Sequence, residues 1–221
     1  MLLDGANALV YGGGGVLGGR LAVALAQQGA RVHLAGRSLE RMHRVVEAVR
    51  LGGGYAEAAV LDVMDEVEVD EYVDIVAACS GSIDISIDVI FPSRSTSPEA
   101  SIRSVGSSAV QRARRDIERM EVADLERPVL DALRAHYVTA RAAARHMMCQ
   151  HSGLILVPRC AASATRLDAQ SLASVVIDRL AGQLAGELES TGVHVAVVDA
   201  DPSSPDETTT RLVAAASHGD A

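Results

Sequence analysis

Lysine is absent from this 221-residue chain, so all 20 basic residues are arginines, and Asn7 is the only asparagine. A chain without lysine has no Schiff-base lysine, no Walker-A lysine and no lysine general base. Tryptophan is also absent, and aromatic residues make up 2% of the chain. Because a net charge of −9 also repels phosphate backbones, the composition excludes nucleic acid as the partner.

Cysteines and long apolar runs are also scarce. Cys79, Cys149 and Cys160 form no CxxC pair, so we expect neither a disulfide framework nor a zinc ribbon. His146 and His151 lie near Cys149, but no fourth ligand is in view, and we interpret this group as structural and expect no metal. No apolar run reaches the ~18 residues of a membrane span, and the first residues lack the pattern of a signal peptide. We therefore expect a cytoplasmic protein with no membrane partner.

The apolar segments follow a regular order along the chain. Short strand-like segments alternate with segments of helical spacing, which predicts an α/β fold, a doubly wound parallel sheet covered by helices on both faces. The predicted strands are residues 8–11, 31–35, 55–61, 83–91, 154–157 and 193–198. We assign residues 1–201 to a single domain, since the length suits one core.

Three segments interrupt or follow this alternation. Residues 92–106 are rich in Ser, Pro, Thr and Arg without an apolar period, and we predict a mobile insertion there. Separate helices are predicted over 109–120, 121–130 and 132–148. Residues 202–221 are predicted to be a weakly structured tail, because mainly Asp, Pro, Ser and Thr precede one short apolar piece.

A glycine-rich turn joins the first strand to the first helix. Gly12, Gly15 and Gly18 have the spacing G-x-x-G-x-x-G inside a strand-helix-strand unit of roughly 30 residues. Glycines at such a turn let the backbone approach a pyrophosphate, whose charge then lies at the positive end of the helix. We interpret the turn as a dinucleotide site, with a merely flexible loop as the alternative.

The end of the second strand indicates which dinucleotide binds. A site that prefers NAD usually has an acidic residue there for the ribose 2′-hydroxyl, whereas this chain has Arg37. A guanidinium suits the 2′-phosphate of NADP(H). The alternative is a solvated arginine at the start of a helix.

Several short motifs resemble the short-chain dehydrogenase/reductase family over about residues 3–202. They are Leu3-Asp4-Gly5, the turn from Tyr11 to Gly18, Ala35-Gly36-Arg37, Leu61-Asp62-Val63, Gly81-Ser82-Ile83-Asp84 and the stretch from Arg141 to Met147. The resemblance implies a Rossmann fold with strand order 3-2-1-4-5-6 that binds NADP(H). It implies that Val16 and Leu17 contact the cofactor together with the three glycines of the turn. It also implies that Asp62 and Val63 contact the adenine.

The catalytic positions of that family are substituted here. The family motif Asn-Asn-Ala-Gly after the fourth strand matches residues 88–91, Asp-Val-Ile-Phe, and the active-site asparagine falls at position 132 or 133, Ala or Leu. The catalytic serine falls at Arg159 or Cys160, and the tyrosine and lysine fall at Gln170 and Ser174. Because a glutamine amide is no acid of useful pKa, the usual proton donor is missing.

Two residues are candidates for replacing the lost chemistry. The guanidinium of Arg159 suits an oxyanion or a carboxylate, and Cys160 beside it is a conceivable acid or nucleophile. An ion-pair arginine and a cysteine that fills a small apolar space are the alternatives. The insertion at 92–106 would border the substrate, and the chain after Asp201 is expected to be too short for the family's final helix and strand.

Two functional hypotheses remain open at this point. One is an NADP(H)-dependent oxidoreductase that acts on a small carbonyl or alcohol by a non-standard mechanism. The other is a catalytically silent partner subunit or a sensor of NADP(H). We also expect a homo-oligomer, or a hetero-oligomer with a related chain, through the helices predicted at 132–148 and 170–190, with the alanines at 140 and 142–144 in the contact.

Overall fold

The computed structural model describes residues 3–91, 121–160, 169–201 and 203–217. The insertion expected at 92–106 and the helix expected at 109–120 lie outside these residues. In the described part, strands and helices alternate. The strands are β1 (Asn7–Tyr11), β2 (Arg31–Gly36), β3 (Tyr55–Val60), β4 (Ile85–Asp88), β5 (Gly153–Cys160) and β6 (Val193–Ala200). The helices are α1 (Val16–Gln27), α2 (Leu39–Leu51), α3 (Glu66–Ser80), α4 (Val122–Gln150), α5 (Ala169–Leu188) and α6 (Pro205–Ser217).

The strands form one parallel sheet in the order β3-β2-β1-β4-β5-β6, which confirms the expected order. All strands point the same way, so their carboxyl ends lie along one edge, which we call the carboxyl edge. The chain reverses direction across the sheet between β1 and β4. In an open sheet of this kind, ligands bind at the carboxyl edge beside that point.

The core consists of two apolar layers, one on each face of the sheet. Alternate residues of β1 serve both layers, with Leu9 and Tyr11 on the side of α3, α4 and α5. Ala8 and Val10 lie on the side of α1, α2 and α6. Strand β1 is buried on both faces, and for that reason its residues from Ala8 to Tyr11 appear in the sequence as a continuous apolar run.

The structure has one helix, α4, where the sequence predicted two over 121–130 and 132–148. Pro128 lies inside α4. Proline removes a backbone hydrogen bond and commonly ends a helix, but this one does not interrupt α4. Most neighbours of Pro128 are exposed, so water can satisfy the carbonyl group that loses its partner. Glu121 and Asp124 form a capping box that starts the helix.

The expectation of a weakly structured tail is wrong for Pro205–Ser217, which form α6. The expectation that the chain is too short there for a helix is wrong for the same reason. Asp206 and Glu207 lie in the first turn, where the helix dipole favours negative charge, and Asp206 pairs with Arg20 of α1. Leu212 is fully buried in the α1 layer. Tertiary packing therefore stabilises a helix whose own apolar pattern is short.

Candidate functional site

The turn between β1 and α1 lies at the carboxyl edge and is fixed by backbone hydrogen bonds. Gly12 has φ of +79°, a left-handed conformation that favours glycine. The N–H groups of Gly12 and Gly13 both donate to the carbonyl oxygen of Ala35 in β2, at 2.9 and 3.2 Å. The Gly15 N–H donates to the Gly12 carbonyl at 2.9 Å. The turn is thus a defined structure rather than a loose loop.

Gly18 lets α1 pack directly against this turn. A Cβ atom on Gly18 would lie 2.9 Å from the carbonyl carbon of Gly12 and from the Cα of Gly13, and nearer still to the Gly12 carbonyl oxygen. A side chain cannot fit there without moving backbone. The spacing of the three predicted glycines therefore has a direct steric cause.

The first turn of α1 presents backbone N–H groups at the carboxyl edge. Its N-cap residue, Gly15, has no side chain to accept from these groups, and the first turn has no acidic residue. Leu17 is buried, whereas Val16 is 70% exposed. Uncapped N–H groups at a helix N-terminus attract anions, so this end of α1 suits a phosphate group.

Arg37 directly follows β2 at the same edge, and its side chain is exposed. Among the residues that the structure describes, no carboxylate forms an ion pair with it. The segment after β2 runs close to the turn, because a Cβ on Gly14 would lie 3.1 Å from Arg41 Cβ and 3.4 Å from Met42 Cγ. A guanidinium without an ion-pair partner thus lies on the segment that borders the glycine turn.

Asp62 and Val63 follow β3, next along the carboxyl edge. The Asp62 carboxylate accepts from the Met64 N–H at 3.1 Å, and the Asp62 N–H donates to Glu68 Oε2 at 2.9 Å. Val63 is buried. These bonds hold the chain in a tight turn into α3, which leaves the Asp62 side chain exposed beside the end of β2.

These residues fit the phosphates and adenosine of a dinucleotide. The fit is tested by the cradle that the glycine turn and the N-terminus of α1 form together. A side chain at Gly18 is excluded there, and no capping side chain competes for the α1 N–H groups. The predicted cofactor residues therefore converge on one edge of the sheet, on the ends of β1, β2 and β3.

The other half of the carboxyl edge, at the end of β5, is occupied by ion pairs. Arg159 Nε donates to Asp199 Oδ1 at 2.9 Å, and Arg159 Nη1 donates to Asp178 Oδ1 at 2.5 Å. The hydrogen bond that Arg159 donates to Asp199, together with the nearby Asp178 charge, raises the pKa of the Arg159 guanidinium. Two of its three nitrogens thus bind carboxylates of this chain, as in the ion-pair interpretation. A catalytic role for Arg159 stays a prediction.

Cys160 and Ser174 lie together behind this strand end. Both are buried, and the Ser174 hydroxyl donates to the backbone carbonyl of Cys160. Gln170 lies half-buried in the first turn of α5. The structure thus brings three of the four residues predicted for the reaction site, Arg159, Cys160 and Ser174, to one strand end.

A buried polar pair that the sequence analysis did not find lies at the end of β4. Asp88 Oδ2 and His136 Nδ1 of α4 are 3.3 Å apart, and their side chains are 4% and 3% exposed. Among the described residues, Asp88 Oδ2, His136 Nε2 and the nearby Tyr11 hydroxyl have no hydrogen-bond partner, although Asp88 Oδ2 lies within ion-pair distance of His136 Nδ1. A carboxylate after β4 and a histidine in an alanine-rich helix were the available signals, but the two residues are far apart in the sequence.

His146 and Cys149 lie near the far end of α4, away from the carboxyl edge. His146 Nε2 pairs with Asp74 Oδ1 at 2.7 Å, and Cys149 is exposed. In the described ranges, no group of three or more His, Cys, Asp or Glu side chains is placed to hold a metal ion. Nor does any helix within those ranges have both the length and the apolar character needed to cross a bilayer.

Comparison with known proteins agrees with this geometry. A family model described as short chain dehydrogenase matches residues 6–217. Two uncharacterized oxidoreductases of Bacillus subtilis (strain 168) are similar in sequence. YxbG is 35% identical over 83 residues, 38% of this chain and 30% of that protein. UxuB is 31% identical over 86 residues, 39% of this chain and 31% of that protein. The matched segments span less than a third of either relative.

Solved structures with this fold include complexes with both nicotinamide cofactors. A metagenomic short-chain oxidoreductase in complex with NADP has a TM-score of 0.79 and 22% identity, covering 100% of this chain and 94% of that chain. An NAD⁺-bound xylitol dehydrogenase has a TM-score of 0.73 and 21% identity, covering 89% and 70%. At such identities the likeness shows the fold.

Proposed function

The chain belongs to the short-chain dehydrogenase family, and we propose that it binds NADP(H) and interconverts a small carbonyl compound and an alcohol. When bound, the cofactor supplies or accepts the hydride. The observation that carries the proposal is the cradle formed by the glycine turn, the uncapped N-terminus of α1 and Arg37. These groups are typical of a site for a pyrophosphate and a further phosphate.

The proposed preference for NADP(H) over NAD(H) rests on Arg37. Its guanidinium is exposed at the end of β2, and no acidic residue occupies the place that would bind a free 2′-hydroxyl. The similar structures include one bound to NADP and one bound to NAD⁺, so the fold is compatible with either cofactor. The local charge at Arg37 is therefore the feature that favours NADP(H).

The test is the effect of Arg37→Asp on cofactor affinity. Charge-assisted hydrogen bonds contribute ~1.5–3 kcal/mol, so we expect NADPH affinity to fall roughly 10- to 150-fold while NADH affinity is kept or improved. Arg50→Asp is the matched control, because Arg50 is an exposed arginine at the other end of α2. Fluorescence titration with both cofactors measures the change. Equal affinities of the unmodified protein for both, or binding of neither, would contradict the proposal.

We further propose that the reaction does not use the tyrosine–lysine pair of the family. In the proposed register of α5, Gln170 and Ser174 fall at those positions, and neither side chain is a proton donor of useful pKa. The Ser174 hydroxyl already donates to the Cys160 carbonyl, which fits a structural role better than a catalytic one. The proton that the substrate oxygen exchanges must come from another group.

The alternative is a catalytically silent subunit or an NADP(H) sensor, and one observation favours it. Arg159, one of the two candidates for replacing the lost chemistry, is paired with Asp178 and Asp199. A silent protein would bind NADPH with the preference given above and show no turnover with any carbonyl. A panel of small aldehydes and ketones, followed by NADPH absorbance, separates the two functions.

We also propose a homo-oligomer that uses the outer faces of α4 and α5. The alanines at 140 and 142–144 are buried inside the chain's own core, so they do not form the contact as expected. The exposed apolar side chains on these two helices support the proposal instead. They are Val122, Leu130, Tyr137 and Met148 on α4, and Leu172 and Val175 on α5.

A further inference from the structure

The buried pair of Asp88 and His136 lies directly beneath the proposed cofactor turn. Asp88 is the last residue of β4, and in the sheet it is the register partner of Tyr11, the last residue of β1. The next two residues, Val89 and Ile90, lie against the turn, since a Cβ on Gly12 would be 3.3 and 3.1 Å from their side chains. The pair is thus one layer of residues below the place where the chain would bind its cofactor.

The long helix α4 places His136 at this depth. His136 contacts the last residue of β4, so the part of α4 before it extends beyond the carboxyl edge. The residues at the start of α4 are mostly exposed, whereas the helix is largely buried from His136 onward. His136 therefore lies where α4 passes from the open side of the sheet into the core.

Among the described residues, few charged groups face the pair. Tyr11 approaches it from β1, and Tyr72 of α3 contacts the Tyr11 ring at 6.4 Å between centroids. Asp70 of α3 also acts on Tyr11, and its carboxylate pairs with Arg141 and Arg145 of α4. Burial raises the pKa of Asp88, while His136, the Ile90 N–H and Thr139 act in the opposite direction. Since an isolated buried charge is unfavourable, the Asp88 carboxyl group is more stable beside the His136 ring than it would be alone in the core.

A purely structural pair would normally have its polar atoms satisfied. Here Asp88 Oδ2, His136 Nε2 and the Tyr11 hydroxyl are buried, and no group in the described part of the chain forms a hydrogen bond with them. A buried ion pair also adds little stability compared with apolar residues of the same size. Stability alone therefore gives no reason for this cluster to lie beneath the cofactor turn.

We propose that Asp88 and His136 form the proton-storing pair of the reaction, and that they replace the tyrosine which this chain lacks. The inference rests on the proposed function. As the carbonyl carbon gains the hydride, its oxygen gains one proton, and that proton leaves the pair, which regains one from solvent. In the direction of alcohol oxidation the pair accepts the proton. The two residues are positioning and proton-holding groups, since the structure shows neither against a substrate.

The test compares His136→Asn and Asp88→Asn with the unmodified protein. His136→Asn keeps a polar group near Asp88 but cannot exchange a proton. Asp88→Asn gives the residue that the resembling family carries at this position, so we expect it to fold. With NADPH and the panel of small aldehydes and ketones, kcat should fall ~100-fold or more in both variants, as for loss of a general acid. NADPH affinity by fluorescence should stay within about twofold.

His146→Asn is the matched control, because His146 is a second histidine of α4 that pairs with an aspartate, Asp74, away from the site. It should leave kcat and NADPH affinity unchanged. The pH profile separates a proton role from a structural one. Reduction by the unmodified protein should slow as pH rises and the pair loses its proton, and this fall should vanish in His136→Asn.

Other results would overturn the inference. Equal kcat values and equal pH profiles for the unmodified protein and both variants would refute the proton-storing role of Asp88 and His136. The proposed function would not be affected by that result. NADPH binding without any turnover by the unmodified protein would refute that role in favour of the silent subunit. Failure of the unmodified protein to bind NADPH would contradict the proposed function itself, and the pair with it.

Discussion

Substitution of Gly18 by alanine tests the steric basis of the cofactor turn. A Cβ at this position would lie 2.9 Å from two backbone carbons of the turn, and ordinary carbon contacts are ~3.5 Å or longer. The turn and α1 would have to separate by roughly 0.6 Å or more. The neighbouring atoms are backbone and cannot rotate away as a side chain would. The substitution therefore displaces the Gly12 carbonyl and the first N–H groups of α1.

Two opposing effects set the size of the change in stability. Overpacking typically costs about 1–3 kcal/mol. Alanine in place of glycine inside a helix contributes up to ~1 kcal/mol in the other direction. We expect a net loss of about 1–2 kcal/mol in the free energy of unfolding, which lowers Tm by roughly 2–8 °C for a chain of this size. NADPH affinity should fall at least ~10-fold, because the N–H groups that meet the phosphate move.

Gly182→Ala is the matched control for this prediction. Gly182 lies exposed within α5, and a Cβ there would meet nothing within 4 Å. The same chemical change should therefore raise Tm slightly and leave NADPH affinity as it was. Calorimetry and fluorescence titration measure the two quantities. A Gly18→Ala protein with unchanged Tm and unchanged NADPH affinity would show that the turn does not have the tight packing described.

Three more outcomes are expected. The double substitution Gln170→Tyr and Ser174→Lys should raise the turnover of small ketones if the proposed register on α5 is right. A strong loss of turnover in Gln170→Ala alone would contradict that register. Burial lowers the pKa of the fully buried His33 against the opposite effect of Glu57, so the folded state binds fewer protons. The free energy of unfolding should therefore decrease as the pH is lowered past about 6.5. Urea titrations at pH 7.5 and 5.5 should show a smaller decrease for His33→Gln than for the unmodified protein. Val175→Arg should shift the oligomer to monomer in light scattering, and a monomeric unmodified protein would refute that interface.

The sheet could be predicted from the sequence because each strand is short, apolar and separated by a helical segment. All six predicted strands appear, and their ends differ from the observed ones by at most a few residues. Buried parallel strands carry this information locally, since both faces of each strand must be apolar. The order of the strands came from the family resemblance and not from the apolar pattern, which does not say which strands become neighbours.

The helices show what local patterns cannot tell. Two separate helices were predicted over 121–130 and 132–148, but α4 is continuous, and its exposed first part tolerates the hydrogen bond that Pro128 removes. The segment of α6 has few large apolar residues, but Leu212 and the pairing of Asp206 with Arg20 fix it against α1. For α6 the deciding contacts come from residues far away in the sequence.

The cofactor half of the site was more predictable than the reaction half for a similar reason. Gly12, Gly15 and Gly18 are close in sequence and act through backbone geometry, so their spacing alone carries the signal. Arg159 faces Asp199 only because β5 and β6 pair in one particular register. His136 meets Asp88 only because α4 lies at one particular depth on the sheet. Neither contact leaves a trace in local spacing.

Under the proposed function, the charges along the carboxyl edge favour one class of substrate over another. At the ends of β1 and β2, uncapped N–H groups and the exposed Arg37 favour an anion, as the phosphates of a dinucleotide require. Among the described residues at the end of β5, Arg159 meets the carboxylates of Asp178 and Asp199, while Arg211, which also reaches Asp199, is paired with Glu207, so their summed charge is negative. A carboxylate substrate would have to compete with Asp178 and Asp199 for the guanidinium and approach both of their charges. An uncharged carbonyl compound faces no such repulsion, and this difference favours it as the class of substrate on this half of the edge.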